Sequence, residues 1–287
     1  MDGNLKIVIW DVQHGHGSYL STPGGQDIVI DLGTGSYGDS NLEFSPLLHL
    51  KNKWKVERLD GVIISHPHRD HLDDIFNFGE LNPRVLVRPK HLSEEDVRKG
   101  NREADKEIID KYLEMGGDYS ADVQASESPF NADNNGGVTF NWWMPQSCAK
   151  TNLNNHSIVT VISYADSKII IPGDNEPPSW NELLELPSFV SAIKGTDILL
   201  APHHGRQSGF SGALFEKISP YLTIISDGPC DTTASDQYSK QSRGWNVNKR
   251  SGGKEERKCV TTRKDGVITV DFGKNDEGTS FMDVRID

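Results

Sequence analysis

Histidine and aspartate are concentrated in one short stretch of this chain, GVIISHPHRDHLDD. An apolar run of strand-forming residues is followed there, within six positions, by His66, His68, Asp70 and His71. In an extended turn, His66 and His68 point the same way. Asp70 and His71 then project from the start of the next helix toward a neighbouring point. Imidazole suits zinc and carboxylate suits zinc, manganese or iron, so the spacing predicts two adjacent cation sites, each short of ligands.

Helix capping is the alternative interpretation of this motif, since Asp70 is a residue type that caps helices. Capping does not require three histidines beside the aspartate, and we therefore favour metal binding.

Further donors occur where other apolar runs begin or end. His156 precedes SIVTVISY, Asp174 follows KIIIPG, and His203 and His204 follow DILLAP. Asp174 is placed to bridge two metals, because the preceding glycine permits close approach of the backbone and a carboxylate has two oxygens. Taken alone, each is an ordinary turn residue. Their repetition at three predicted strand ends indicates further metal ligands.

Short apolar runs between turn residues set the expected architecture. Their length and their content of Val and Ile predict strands near residues 6–10, 27–32, 61–65, 84–89, 138–144, 157–164, 168–172, 197–202, 221–226 and 266–272. We predict helices over 72–78, 93–115, 180–186 and 211–218, the second capped by Ser93 and ended by Gly116 and Gly117. Many strands interrupted by helices favour an α/β fold with sheets covered by helices.

Composition narrows the class of protein further. The chain has 287 residues, which we interpret as a single domain over 1–287 with a helical and loop insertion at about 89–137 and a basic loop at about 228–257. The net charge of −12 opposes non-specific binding to nucleic acid. The three cysteines are widely spaced, and neither a signal peptide nor an apolar run of roughly 20 residues is present. We therefore expect a cytoplasmic protein without a membrane partner.

The ordered motifs resemble the metallo-β-lactamase fold superfamily, whose H-x-H-x-D-H signature is HPHRDH here. DVQHGHGSYL, IVIDLG, NNHSIVTVI, KIIIPGDNE, LLAPHHGRQS and TTRKDGVITV are similar to motifs of the hydrolase domain of competence protein ComEC and its stand-alone relatives. This resemblance implies a four-layer αββα sandwich with two metals at one edge. It implies a first metal on His66, His68 and His156, and a second on Asp70, His71 and either His203 or His204, with Asp174 bridging. We assign His204 as the ligand and place His203 near the scissile bond.

The implied activity is metal-dependent hydrolysis. Two divalent ions, zinc in the first instance with manganese or iron as alternatives, would share a hydroxide nucleophile that Asp70 positions. Either His203 or a metal-bound water would protonate the leaving group. The resemblance favours a phosphodiesterase or nuclease-like enzyme acting on a small-molecule, nucleotide or nucleic-acid phosphodiester. Residues 240–264 contain nine basic residues against Glu255 and Glu256, which would either bind phosphates near the site or form a solvated loop.

Three alternatives stay open at this point. The same fold hosts hydrolysis of β-lactams, lactones and thioesters. It also occurs as a non-catalytic metal-binding or interaction module, which the complete ligand set disfavours, and in redox diiron proteins, which need a flavin or oxygen partner domain.

Four further residues are candidate substrate contacts. In the first turn, His14 stands where the ComEC-like pattern has glutamine, and His16 stands where it has aspartate. Neither is needed as a metal ligand, so both are expected at the rim of the site, where they would hydrogen-bond to the ligands or contact substrate, His16 ahead of His14. Trp180 and Trp245 could stack on a base or a choline group.

Overall fold

The computed structural model describes residues 3–35, 44–228 and 232–287, so Cys230 and part of the predicted basic loop lie outside the described residues. The strands of the described ranges form two sheets. The first holds β1 (Leu5–Ile9), β2 (Gly17–Ser21), β3 (Asp27–Leu32), β4 (Gly61–Ile63), β5 (Val85–Val87), β11 (Trp245–Lys249), β12 (Lys254–Arg257), β14 (Ile268–Lys274) and β15 (Ser280–Ile286). The second holds β6 (Thr139–Trp143), β7 (Val159–Tyr164), β8 (Ser167–Ile171), β9 (Ile198–Leu200), β10 (Leu222–Ile225) and β13 (Cys259–Thr261).

Parallel pairing places several strand ends at one edge of the molecule. The first sheet runs β12-β11-β15-β14-β1-β2-β3-β4-β5, with β3, β4 and β5 parallel to one another. The second runs β13-β10-β9-β8-β7-β6, with β8, β9, β10 and β13 parallel. The carboxyl ends of parallel strands meet at the same edge, so the segments after β4, β8 and β9 can converge.

Helices cover the outer faces of both sheets. They are α1 (Pro46–His49), α2 (Glu94–Lys99), α3 (Lys106–Asp118), α4 (Ala132–Asn135), α5 (Pro177–Leu184), α6 (Pro187–Ile193), α7 (Gly212–Phe215), α8 (Ser235–Gln241) and α9 (Thr262–Asp265). Along β1, Ile7 faces the core between the sheets and Val8 faces the helical layer outside, as the period of two requires. A third cluster, including Trp180 and Phe189, fills the space between the second sheet and its helices. The predicted αββα sandwich is confirmed.

The predicted helix over 93–115 is wrong as one continuous element. Ser93 does form a capping box with Asp96, but α2 ends at Lys99 and α3 starts at Lys106. The interruption has a tertiary cause, because the Asn101 side chain donates hydrogen bonds to the carbonyls of Val97 and Pro67. Gly116 and Gly117 do not end α3, which continues to Asp118.

Two other predicted segments differ from the structure. Residues 72–78 do not form an α-helix; a 3-10 helix runs over Ile75–Leu81 instead. The segment predicted as a basic loop contains α8 and the antiparallel pair β11 and β12. Several of its cations are paired, including Lys249 with Glu255 and Arg257 with Asp265. Because β12 and β5 are opposite edges of the first sheet, this hairpin lies away from the strand ends that converge.

Among the described residues, no helix combines the length and the apolar character that spanning a membrane requires.

Candidate metal centre

Four side chains from three separate loops form a compact donor cluster. One ligand atom from each lies within 4.8 Å of all the others, and the four residues are Asp70, His71, Asp174 and His204. Asp70 and His71 belong to a 3-10 turn after β4, Asp174 follows β8, and His204 follows β9. We refer to these four residues as the donor cluster. The sequence prediction that these loops meet is confirmed.

The distances within the donor cluster are those of atoms that can share one cation. His204 Nε2 lies 3.2 Å from Asp174 Oδ2 and 3.3 Å from Asp70 Oδ2. His71 Nε2 lies 3.2 Å from Asp174 Oδ1. Nitrogen and carboxylate oxygen bind zinc and other divalent metals at about 2.0–2.2 Å, which places neighbouring ligands about 3 Å apart. The donor set therefore fits a divalent cation.

Each imidazole of the donor cluster is oriented by a hydrogen bond at Nδ1, the nitrogen that faces away from the cluster. His71 Nδ1 lies 2.8 Å from Asp31 Oδ2, and His204 Nδ1 lies 3.2 Å from the carbonyl oxygen of Ser226. Each acceptor favours a proton on Nδ1, so Nε2 is the nitrogen that faces the cluster and would bind a cation. A metal-binding histidine is oriented in this way by its outer hydrogen bond.

Asp31 is a functional residue that the sequence prediction missed. It is fully buried at the end of β3, with a positive φ of 59°, and it also accepts hydrogen bonds from the backbone N–H and the hydroxyl of Ser65. The signal was available in the motif IVIDLG, which ends a buried strand in aspartate as KIIIPGD does. Its carboxylate orients His71 from behind.

His66 and His68 adjoin the donor cluster. His66 Nε2 lies 3.1 Å from His68 Nδ1 and 3.9 Å from Asp174 Oδ2. His66 is fully buried, and its Nδ1 lies 3.1 Å from the Ser65 hydroxyl. Asp174 therefore lies between this histidine pair and His204, which is where the predicted bridging ligand belongs.

His156 is buried close to this region and is paired with a histidine that the sequence did not single out. The backbone N–H of Ile158 donates to the carbonyl of Ser65, which places the His156 segment beside His66. His156 Nδ1 lies 2.9 Å from His91 Nε2, and no contact among the described residues satisfies the buried His156 Nε2. An unsatisfied buried nitrogen fits the predicted ligand role of His156, which stays a prediction.

The structure distinguishes between the two adjacent histidines. His204 is buried in the donor cluster, whereas His203 keeps 15% of its side chain exposed and lies outside it. Both residues have positive φ values, 51° and 52°, so the chain reverses sharply after β9 and sends the two rings apart. His203 Nδ1 lies 3.1 Å from Glu176 Oε1, and its Nε2 lies 3.9 Å from Asp174 Oδ2.

The electrostatics of the donor cluster favour the charged forms of His204 and Asp174. Burial disfavours the imidazolium form of His204, but the carboxylates of Asp174 and Asp70 outweigh burial and raise its pKa to about 9. Burial also favours a neutral Asp174, yet the imidazoles of His204 and His71 hold the pKa of this carboxyl well below its usual range. When no metal is bound, the protons on these imidazoles balance the negative charge of the carboxylates. A bound metal ion would displace those protons.

The two histidines of the first turn have different surroundings. His14 lies at the rim, with Nε2 3.1 Å from Asp70 Oδ2. His16 is only 3% exposed, and its Nε2 contacts the Ser18 hydroxyl. Burial lowers the pKa of His16 to about 4. His16 is thus buried beside His71, with ring centroids 6.4 Å apart, and does not lie at the exposed rim where we expected it.

The two tryptophans predicted to contact substrate are also placed elsewhere. Trp180 is fully buried, stacks near Phe189 and donates its indole N–H to the carbonyl of Asn175. Trp245 lies on β11, where its ring centroid is 5.1 Å from that of Tyr221. Complete burial rules out the predicted substrate contact by Trp180. Trp245 is partly buried against the core between the sheets, and its substrate contact stays a prediction.

A cavity of about 570 Å³ opens beside the donor cluster. His14, His68 and Asp70 line it together with Arg69, Arg102 and their acidic neighbours Asp73 and Asp105. Arg102 comes from the segment between α2 and α3, so the predicted insertion contributes directly to this cavity.

The matching family model agrees with the fold and the cluster. The model described as the metallo-beta-lactamase superfamily matches residues 14–217. The chain therefore belongs to the metallo-beta-lactamase superfamily, and its cluster of histidine and aspartate places it with the metal-dependent hydrolases of that superfamily.

Solved structures with similar folds are distant from this chain in sequence. A putative metal-dependent hydrolase from Parabacteroides distasonis is 12% identical with a TM-score of 0.41, covering 81% of this chain and 90% of its own. A diphosphatase from the PhnP family is 11% identical with a TM-score of 0.43, covering 91% and 96%. The protein YhfI from Bacillus subtilis is 15% identical with a TM-score of 0.34, covering 68% and 70%. No curated protein matches, and the narrower resemblance to ComEC stays a prediction.

Proposed function

We propose that this protein is a metal-dependent phosphodiesterase whose cations are held at the donor cluster and at the adjoining His66, His68 and His156. The observation that carries the proposal is the cavity, because metal-binding side chains and two guanidinium groups line it together. Phosphodiesters carry the charge and the oxygen geometry that such a cavity accommodates.

Bound divalent cations would supply Lewis acidity and a water of lowered pKa. Zinc is the first choice from the donor types, and manganese or iron are alternatives. Asp70 belongs to the donor cluster and also lines the cavity. We therefore assign its carboxylate the role of orienting the attacking water. We also retain the predicted cytoplasmic location.

His203 is our candidate for proton transfer to the leaving group. Its Nδ1 faces the Glu176 carboxylate and its Nε2 faces the donor cluster. Glu176 therefore favours a proton on Nδ1 and fixes the ring, as a carboxylate does for a general acid or base. His203 is more exposed than His204, which leaves it accessible to substrate.

The two arginines of the cavity are positioned by acidic partners. Arg69 Nε lies 2.8 Å from Asp73 Oδ1, and Arg102 Nε lies 2.9 Å from Asp105 Oδ2. A guanidinium has five N–H donors, so it can contact phosphate oxygens as well as carboxylates. A neutral lactone would make little use of two such cations.

A substrate panel tests the proposal. The metal-loaded protein is assayed with bis(p-nitrophenyl) phosphate, single-stranded DNA, cyclic nucleotides, a thioester, a lactone and nitrocefin. Asp70→Asn tests the site, and Asp133→Asn, the same change at an exposed residue of α4, is the control. We expect diester hydrolysis that Asp70→Asn reduces about 100-fold or more and Asp133→Asn preserves. Turnover of nitrocefin, the lactone or the thioester without any diester hydrolysis would contradict the proposal.

A further inference from the structure

The turn that carries His14 is fixed against the metal-binding loop. The backbone N–H of His16 donates to the carbonyl of Asp70, and the Ser226 hydroxyl donates to the carbonyl of Gly15. Gly15 has a φ of 134°, and a Cβ there would lie 2.4 Å from the carbonyl oxygen of Asp70. The turn therefore holds residue 14 at a defined position beside Asp70.

The ring of His14 extends the donor cluster with the same spacing. His14 Nε2 lies 3.1 Å from Asp70 Oδ2, which in turn lies 3.3 Å from His204 Nε2. The ring centroids of His14 and His204 are 4.9 Å apart. These separations match those between His71, Asp174 and His204, so His14 Nε2 has the spacing of another ligand rather than of a remote rim residue.

Arg206 restrains the ring from its other side. Its Nη2 lies 3.2 Å from both ring nitrogens of His14, so the guanidinium covers the ring face. A side chain held between Arg206 and Asp70 has little freedom to turn away from the cluster.

We propose that His14 is a fifth protein ligand of the cation held by the donor cluster. Five protein donors exceed the four of a tetrahedral zinc site. Such a set suits a cation that accepts five or six ligands, such as Mn²⁺, Fe²⁺ or Co²⁺, with one position left for water or substrate. The inference concerns metal binding alone and does not depend on which substrate is hydrolysed.

Cobalt-substituted protein tests this ligand assignment without measuring turnover. Proton NMR of the wild type and of His14→Ala and His14→Gln at saturating Co²⁺ counts the paramagnetically shifted imidazole N–H signals of bound histidines. His49→Ala is the control, since His49 packs against Trp54 outside the site. Calorimetry measures the Co²⁺ affinity of each variant, and circular dichroism confirms folding.

We expect each His14 variant to show one shifted imidazole N–H signal fewer than the wild type and His49→Ala. We also expect His14→Ala to bind its weaker Co²⁺ equivalent about 10- to 100-fold less tightly, with partial recovery in His14→Gln, whose amide oxygen can replace the nitrogen. An unchanged number of shifted signals in folded His14→Ala would overturn the proposal, because His14 would then only orient Asp70.

Discussion

Asp31 acts on the candidate metal centre from behind, through the proton that His71 Nδ1 shares with its carboxylate. Asp31→Asn replaces a charged acceptor by an amide of nearly the same shape. We expect metal affinity to fall about 10- to 100-fold, because His71 loses the carboxylate that orients it. Isothermal titration of the metal-free protein measures this change, with Asp133→Asn as the control. Wild-type affinity in Asp31→Asn would show that Asp31 has only a structural role.

A substitution of Trp180 tests whether this side chain serves apolar packing or substrate binding. Trp180→Phe removes the indole N–H that reaches the Asn175 carbonyl and leaves a small void in the core. We expect a loss of about 1–3 kcal/mol in the free energy of unfolding, with KM unchanged for the folded fraction. Denaturant unfolding and steady-state kinetics measure the two effects. A raised KM with unchanged stability would restore the substrate-stacking hypothesis.

Individual residues differ in how far the sequence could assign them. His66, His68, Asp70 and His71 are close in sequence, so their proximity in the fold follows from one strand and one turn. The choice between His203 and His204 depends on two consecutive positive φ values, which the sequence does not specify. His91 carries no local signal, since its role depends on a contact with His156, 65 positions away.

At the scale of elements, the segment between α2 and α3 delivers Arg102 to the cavity. Arg102→Ala removes one guanidinium, so we expect KM for an anionic diester to rise about 10-fold, which corresponds to about 1.4 kcal/mol, with a smaller effect on kcat. Arg98→Ala on the neighbouring α2 is the matched control, because Arg98 pairs with Glu94 and Asp110 instead of lining this cavity. Equal KM values for both variants would remove Arg102 from the substrate site.

Elements were predictable where their signal is local. Each of the ten predicted runs contains a strand, because both faces of the sheets are buried at these positions and give continuous apolar segments. The sequence prediction missed β2, β11, β12, β13 and β15, which lack a continuous apolar run. The break between α2 and α3 was missed because Asn101 makes hydrogen bonds to Pro67, a residue distant in sequence. The charge pattern of residues 93–115 is compatible with a continuous helix and contains no trace of that contact.

At the scale of the whole molecule, the candidate centre joins the two sheets. Asp31 lies in β3 and Asp70 and His71 follow β4 of the same first sheet, while Asp174 and His204 follow strands of the second. A cation bound between them stabilises the folded state, because the unfolded chain has no assembled site. The reference is protein in a free metal concentration about a thousand times the Kd. Relative to it, we expect a chelator that removes the metal to lower the free energy of unfolding by about 4 kcal/mol. Unfolding curves that coincide with and without metal would contradict this expectation.

The central claim is that the donor cluster binds a divalent cation, and the neighbouring pair His203 and His204 offers the most direct test. Metal-free wild type, His204→Ala and His203→Ala are titrated with Zn²⁺ and Mn²⁺, and bound metal per chain is measured by calorimetry and elemental analysis. The structure predicts that His204→Ala loses binding of one equivalent while His203→Ala keeps the wild-type stoichiometry. Unchanged metal binding in folded His204→Ala would contradict the account.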